Sequence, residues 1–400
     1  MTRLVFRGGR VFDGTGADSA AADVAIEDGR IVDVGSGLDG DEAIEVAGRT
    51  ILPGLFDCHT HVCVSHVDLW KVAQQPFSYA FYEAQRNLAA TLRIGITTVR
   101  DAGGADLGIK EAVEDGLISG PRLQISISML TQTGGHGDNW YPSGATVPFL
   151  VPHPGRPSGL VDGPDEVRRK VRELVRAGAD VIKVATSGGV LSPRDDPRHA
   201  HFRPAELEAL VEEATAAGIF VMAHAQGADG IKNAIRAGIR SIDHGIYLDD
   251  EAIELMKQRG TWFVPTLVAP QGVIDAAEAG VPLPPAVVEK ARSVADIHRA
   301  AFRKAVEAGV TIAMGTDSGV TPHGRNLREL ALMVAGGMTP AAALEATTRS
   351  AARLLGVDDR LGTIEAGKVA DLVVVSGDPY ALDDLADRID EVWKAGARVV

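Results

Sequence analysis

Cysteine is nearly absent: the 400-residue chain has two, Cys58 and Cys63. That number cannot build a disulfide scaffold, so a reducing, cytoplasmic compartment is expected. Basic charge is in deficit, with 40 Lys and Arg against 54 Asp and Glu and a net charge of −14. Such a chain repels a phosphate backbone, and no Lys/Arg cluster makes a polybasic patch, so neither nucleic acid nor a membrane surface is an expected partner. No run of about 18 apolar residues exists, so no transmembrane helix is expected. The start, MTRLVFRGGRVFDG, lacks the apolar core and small-residue cleavage site of a secretory leader.

What is present is 45% hydrophobic content, enough in 400 residues for a large core and a smaller satellite. The first fifty residues alternate short apolar runs with Gly and Asp turns, and Asp28-Gly29 reads as a hairpin turn. The last forty return to that style in LGTIEAGKVADLVVVSGDP and EVWKAGARVV. Each piece is too small to bury a core alone, so the two are expected to share one sheet domain, 1–53 with 365–400.

Between them, over 54–364, a different rhythm repeats. A helical pattern closes on Gly, a β-rich run follows, and a polar residue ends the run. PDEVRRKVRELVRAG leads into ADVIKVATSGG, PAELEALVEEATAAG into IFVMAHAQG, and HRAAFRKAVEAG into VTIAMGTDSG. With LFDCHTHV, TTVRDAGG and LQISISML upstream there are eight candidate strands, which predicts an α/β fold of the (β/α)8 TIM-barrel type. Three connections, about 131–165, 186–204 and 268–290, are long and rich in Gly, Pro or charge. Connections of that length in a compact domain are usually functional.

The polar residues gather where such barrels keep their chemistry, at the C-terminal strand ends. His59 and His61 stand two apart, and side chains at that spacing share one strand face. Lys183, His224, His244 and Asp317 end the fourth, fifth, sixth and eighth candidate strands. Imidazole and carboxylate in this number make a metal site for divalent ions, with zinc expected. An ammonium has no lone pair, so Lys183 fits either as an ion-pair partner of Asp317 or as a carbamate formed with CO2. Cys58 and Cys63 flank the HxH and read as small buried hydrophobes. Asp101 fits either a supporting or a structural role. Gly-rich SGG at 187–189 reads as a tight turn.

LPGLFDCHTHV, VIKVAT, VMAHA, SIDHG and MGTDSG together resemble the amidohydrolase superfamily, over nearly the whole chain. The resemblance implies a composite β-sandwich for the two end pieces. It also implies that His59, His61 and Asp317 bind one metal, His224 and His244 a second, and carboxylated Lys183 both. RDAGG, TQTGGHGD and SGGVLSP are similar to the branch of Xaa-Pro and Arg/Lys dipeptidases and ochratoxin-cleaving amidases. In that branch the His of GGHGD, here His136, is expected beside the substrate. Gln226 stands where several prolidase-like members carry Tyr. Arg194 and Arg198 are candidate clamps for a substrate carboxylate.

The expected activity is hydrolysis of an amide bond in a small molecule such as a dipeptide or N-acyl amino acid. A metal-bridging hydroxide would attack, with Asp317 as proton shuttle and His136 as a catalytic partner. Carbamate, phenylurea or lactam hydrolysis on the same site is the alternative, and a non-enzymatic assembly protein a distant one. A mononuclear deaminase is disfavoured by Lys183. A homo-oligomer is the expected assembly.

Overall fold

A computed structural model describes residues 2–192 and 194–400. Pro193, the last residue of SGGVLSP, lies outside them. Asp28 and Gly29 both adopt positive φ, 47° and 75°, between strands Asp23–Glu27 and Arg30–Gly35. Two successive left-handed residues match the right-handed twist of the strands they join, which is why Asp-Gly occurs there.

The two ends of the chain share a sheet. Strand Leu372–Ser376 pairs antiparallel with Arg49–Pro53, placing Val373 opposite Leu52 and Val374 opposite Ile51. Ile389–Lys394 extends that sheet on one side and Arg10–Val11 on the other. A second sheet, built on Leu4–Arg7, carries the Asp28-Gly29 hairpin. The Phe6 and Trp393 rings meet edge to face at 5.1 Å, and Val24, Ile51, Leu372 and Val374 pack in the same buried cluster. Neither end supplies that cluster alone.

Gly54 separates the end-piece strand Arg49–Pro53 from the first strand of the central region, Leu55–Thr60. Parallel pairing runs from Leu55–Thr60 to Ile96–Asp101 to Arg122–Ile125. Another parallel series runs from Met129–Leu130 through Val181–Ala185, Phe220–Ala225 and Ser241–His244 to Trp262–Val264. The two series are linked on one side where Asp180 N–H donates to Ile125 O at 2.8 Å. On the other side the segment 311–317 bonds both Phe263 and the His59 strand: Phe263 N–H to Thr311 O at 2.9 Å, Cys58 N–H to Met314 O at 2.9 Å and Asp317 N–H to His59 O at 2.7 Å. The stretch LQISISML is thus two short strands rather than one. Ile127, at φ 66°, breaks it.

The helices between the strands follow from amphipathic spacing. Pro164–Arg176 starts with Pro at its first position and Asp165 and Glu166 in its first turn, and Gly178 follows its end at φ 95°. These are favourable start and stop signals. Its Val167, Val171 and Leu174 recur on one face and are buried, each worth about 1.5–3 kcal/mol. The segment 268–290, read from its prolines as a connection, instead contains helix Val268–Glu278 and the start of the long helix Pro285–Glu307. Pro284 caps that helix and Pro285 is its first residue, where a missing N–H costs nothing. No helix among the described residues is long and apolar enough to cross a membrane.

Candidate metal centre

His59 is the penultimate residue of its strand and His61 lies just beyond that strand's end. Lys183, His224 and His244 sit at or near the C-terminal ends of their strands. Pairing places Lys183 beside Met222, and His224 beside both Ala185 and Asp243. Paired residues in parallel strands share a face, so Lys183, His224 and Asp243 point the same way. Strict alternation would turn the next residue, His244, outward. His244 has φ 74°, a rare left-handed backbone for a residue with a side chain, and its ring instead lies 4.9 Å from that of His59 and 4.6 Å from that of His224. Asp317 is left-handed as well, at φ 60°.

The ligating atoms of His59, His244 and Asp317 lie within 4.8 Å of one another. Asp317 Oδ1 is 3.3 Å from His59 Nε2 and 3.2 Å from His61 Nε2. Lys183 Nζ is 3.4 Å from His59 Nε2. Each imidazole is fixed from behind through its other nitrogen. His59 Nδ1 donates to Asp243 Oδ2 at 2.7 Å, His61 Nδ1 to Gly103 O at 2.9 Å and His224 Nε2 to Gly188 O at 3.1 Å. His244 Nδ1 bonds Thr266 Oγ1 at 2.7 Å. One nitrogen per ring is left without a backing partner, in the arrangement by which proteins orient histidine ligands.

The charge states of His224, His244, Asp317 and Lys183 suit a cation. Burial pushes His224 and His244 well below the usual histidine range, with the neighbouring histidines and Lys183 adding to it. Both are therefore neutral and keep a lone pair. Burial would raise Asp317, but its contacts with His59 and His61 hold it well below the usual carboxylate range. Burial lowers Lys183 to about 8 against the pull of Asp243 and Asp317, easing loss of its proton. The donor set thus fits divalent metal, the test that matters for the expected cofactor.

Asp243 and Arg100 form the support that sequence reading missed. The Asp243 carboxylate is fully buried and receives His59, Ser241 Oγ at 2.8 Å and the Arg100 guanidinium at 3.3 and 3.4 Å. Burial opposes its charge, but Arg100, Lys183 and His59 hold it ionised. The signal was present in SIDHG as an acid directly before a candidate ligand histidine. Asp101 proves structural: it accepts from the backbone N–H of Val62, Gly103 and Ala105 at 2.8, 3.0 and 3.0 Å, which sets Gly103 O to hold His61. Cys58 and Cys63 are free, buried thiols in apolar clusters, as expected.

A cavity of about 690 Å³ opens over these residues, walled by apolar side chains including Trp70, Met129, Leu150, Val190 and Val273. His136 and Gln226 line it. The His136 ring stacks on His224 at 4.2 Å, and its Nδ1 is hydrogen-bonded with Ser192 Oγ at 2.7 Å. A Cβ on Gly189 would fall 2.1 Å from that ring, so SGG must be glycine here. Gln226 is buried, with Oε1 lacking a partner. Arg194 and Arg198 are not in the cavity wall. Arg194 is exposed and stands 5.9 Å from the Trp140 ring centre, and Arg198 is exposed and paired with Asp196 at 2.5 Å.

Residues 50–399 match the amidohydrolase family. The chain is 38% identical to an ochratoxinase of Aspergillus niger over 368 residues, 86% of this chain and 75% of that one. A solved Xaa-Pro dipeptidase with bound methionine superposes with TM-score 0.91 at 35% identity, covering 99% of both chains. A prolidase complexed with N-methylphosphonate-L-proline gives 0.90 at 36%, covering 100% of this chain and 99% of that one. With the candidate ligands gathered at the strand ends and residues 50–399 matched, this chain belongs to the amidohydrolase family.

Proposed function

We propose that this enzyme hydrolyses the amide bond of a small substrate bearing a free carboxylate, such as a dipeptide or N-acyl amino acid. The observation that carries it is the cluster of Asp317 with His59, His61 and His244, and of His224 against His244, beneath a largely apolar cavity. The similarity to a dipeptidase, a prolidase and an ochratoxinase supports amide chemistry. Our reading of the scaffold is a (β/α)8 barrel over 54–364 with a composite β-sandwich from 1–53 and 365–400. Eight parallel positions in series, the third shared by Arg122–Ile125 and Met129–Leu130 and the last filled by 311–317, and the shared end sheet support it.

His59, His61 and Asp317 would hold one divalent ion and His224 and His244 a second, with carboxylated Lys183 between them. Zinc suits the donors. When bound, such ions supply an acidified water and Lewis-acid pull on a carbonyl. Asp317, ionised and fixed by two histidines, takes a proton and delivers it to the leaving nitrogen. His136, stacked beside His224, is placed to hold oxygen charge as it develops. The apolar wall accepts the substrate's side chains and excludes water.

A library of dipeptides and N-acyl amino acids, incubated with metal-replete protein, tests this reading. Cleavage should stop with chelation and return with metal. A library left intact while carbamates or phenylureas are cleaved would replace it.

A further inference from the structure

One buried cation in the cavity wall takes no part in holding the centre. Arg156 lies in the long connection 131–165 and is 4% exposed. A reciprocal backbone pair pins it: His153 N–H donates to Arg156 O at 3.0 Å and Arg156 N–H to His153 O at 2.8 Å. Its Nε is buried without a hydrogen-bond partner. Asp106 packs against this turn, 3.0 Å from where a Cβ on Gly155 would stand, yet it is engaged elsewhere. Asp106 Oδ1 accepts from Ile109 N–H at 3.0 Å, and Oδ2 faces His153 Nε2 at 3.9 Å. Arg156 thus meets no carboxylate within 4.0 Å among the described residues, although it lines the cavity that holds His59, His136 and Asp317.

A guanidinium stays charged at any working pH, and a buried one without a counter-ion is unfavourable. Its planar fork matches a carboxylate through two parallel N–H···O bonds. We propose that Arg156 is the cavity's carboxylate-binding residue, supplying the charge that selects acids over their neutral amides. This rests on the reading of the substrate given above and assigns the anion to a residue outside the motifs. It leaves His136, beside His224, free for the reacting oxygen.

The test titrates 4-phenylbutanoate and 4-phenylbutanamide by calorimetry into metal-replete enzyme, with ammonia release from the amide followed so that only binding heat is counted. Wild type should bind the acid at least about tenfold tighter than the amide. R156Q should bring the two within about twofold by weakening the acid alone, and the amide's unchanged affinity shows that the fold is intact. R156K, which keeps the charge but loses the fork, should lose at least about threefold of the preference and carries the test alone if R156Q does not fold. An undiminished preference in these variants, as when the carboxylate goes to the metals, overturns the proposal. So does a wild type that binds both forms alike. If no amide in the library is cleaved while the preference and its loss persist, the reaction reading fails and this assignment stands.

Discussion

Asp243 Oδ2 accepts a 2.7 Å hydrogen bond from His59 Nδ1 while Arg100 grips the same carboxylate from behind at 3.3 Å. Three groups, none exposed by more than a few per cent, therefore determine which nitrogen of His59 is left to face the cavity.

Asp243→Asn keeps the shape but removes the charge that both partners need. Metal affinity, read by chelator competition, should fall about 10–100-fold. Stability should fall by about 3–5 kcal/mol because Arg100 is left buried and unpaired. Metal affinity equal to wild type would mean that Asp243 serves folding alone.

Lys183 should carry a carbamate. Its proton affinity is lowered to about 8 by burial, so the reactive neutral amine grows as pH rises toward that value. Reconstitution of metal-free enzyme should therefore need bicarbonate and proceed faster at pH 8 than at pH 6. A carbonyl resonance from 13C-bicarbonate should appear with two equivalents of metal and be missing in Lys183→Ala. Short carboxylic acids should partly restore that variant. Full metal loading with no carbamate signal would rule the modification out.

Asp317→Asn retains an oxygen ligand and loses the proton acceptor. General acid–base groups contribute about 10²–10⁴-fold, so kcat should fall by that order with most of the metal kept. Near-normal kcat would assign the proton to another residue.

Glu329 offers a pH test of the scaffold. Its carboxylate is fully buried and accepts from Leu267 and Val268 N–H at 2.7 and 2.8 Å, and burial raises it from 4.5 to about 8. Between those values the folded state holds a proton that the unfolded state has lost, so stability must fall as pH climbs from 5 to 8. Every tenfold gain in proton affinity on folding corresponds to at most about 1.4 kcal/mol of that loss. The urea midpoint of wild type should drop over that range more steeply than that of Glu329→Gln. Parallel curves would show that Glu329 stays ionised.

The candidate ligands were legible because Lys183, His224, His244 and Asp317 each stand at or near the end of an apolar run that follows a Gly-closed helix, and His59 and His61 stand two apart at the end of another run, a pattern needing no tertiary knowledge. Asp243 was not, because alternation lets only one of Asp243 and His244 face the centre. The left-handed backbone at His244, which brings in both, leaves no mark in composition. Arg156 is a single cation in an aperiodic loop, and its lack of a partner exists only in three dimensions. Arg194 and Arg198 looked better placed because the loop after the fourth strand reaches the mouth, but their side chains turn to Trp140 and Asp196. The helix at 268–278 was obscured by Pro270 inside its first turn, a position that tolerates proline.

His244, Thr266 and Asp317 all hold positive φ, at 74°, 53° and 60°. Each such backbone costs on the order of 1–3 kcal/mol, sustained by the surrounding framework. The molecule would thus become hardier by giving up its chemistry. A library selected only for survival on heating should drift toward glycine at these three positions and arrive at a sturdier, inert protein.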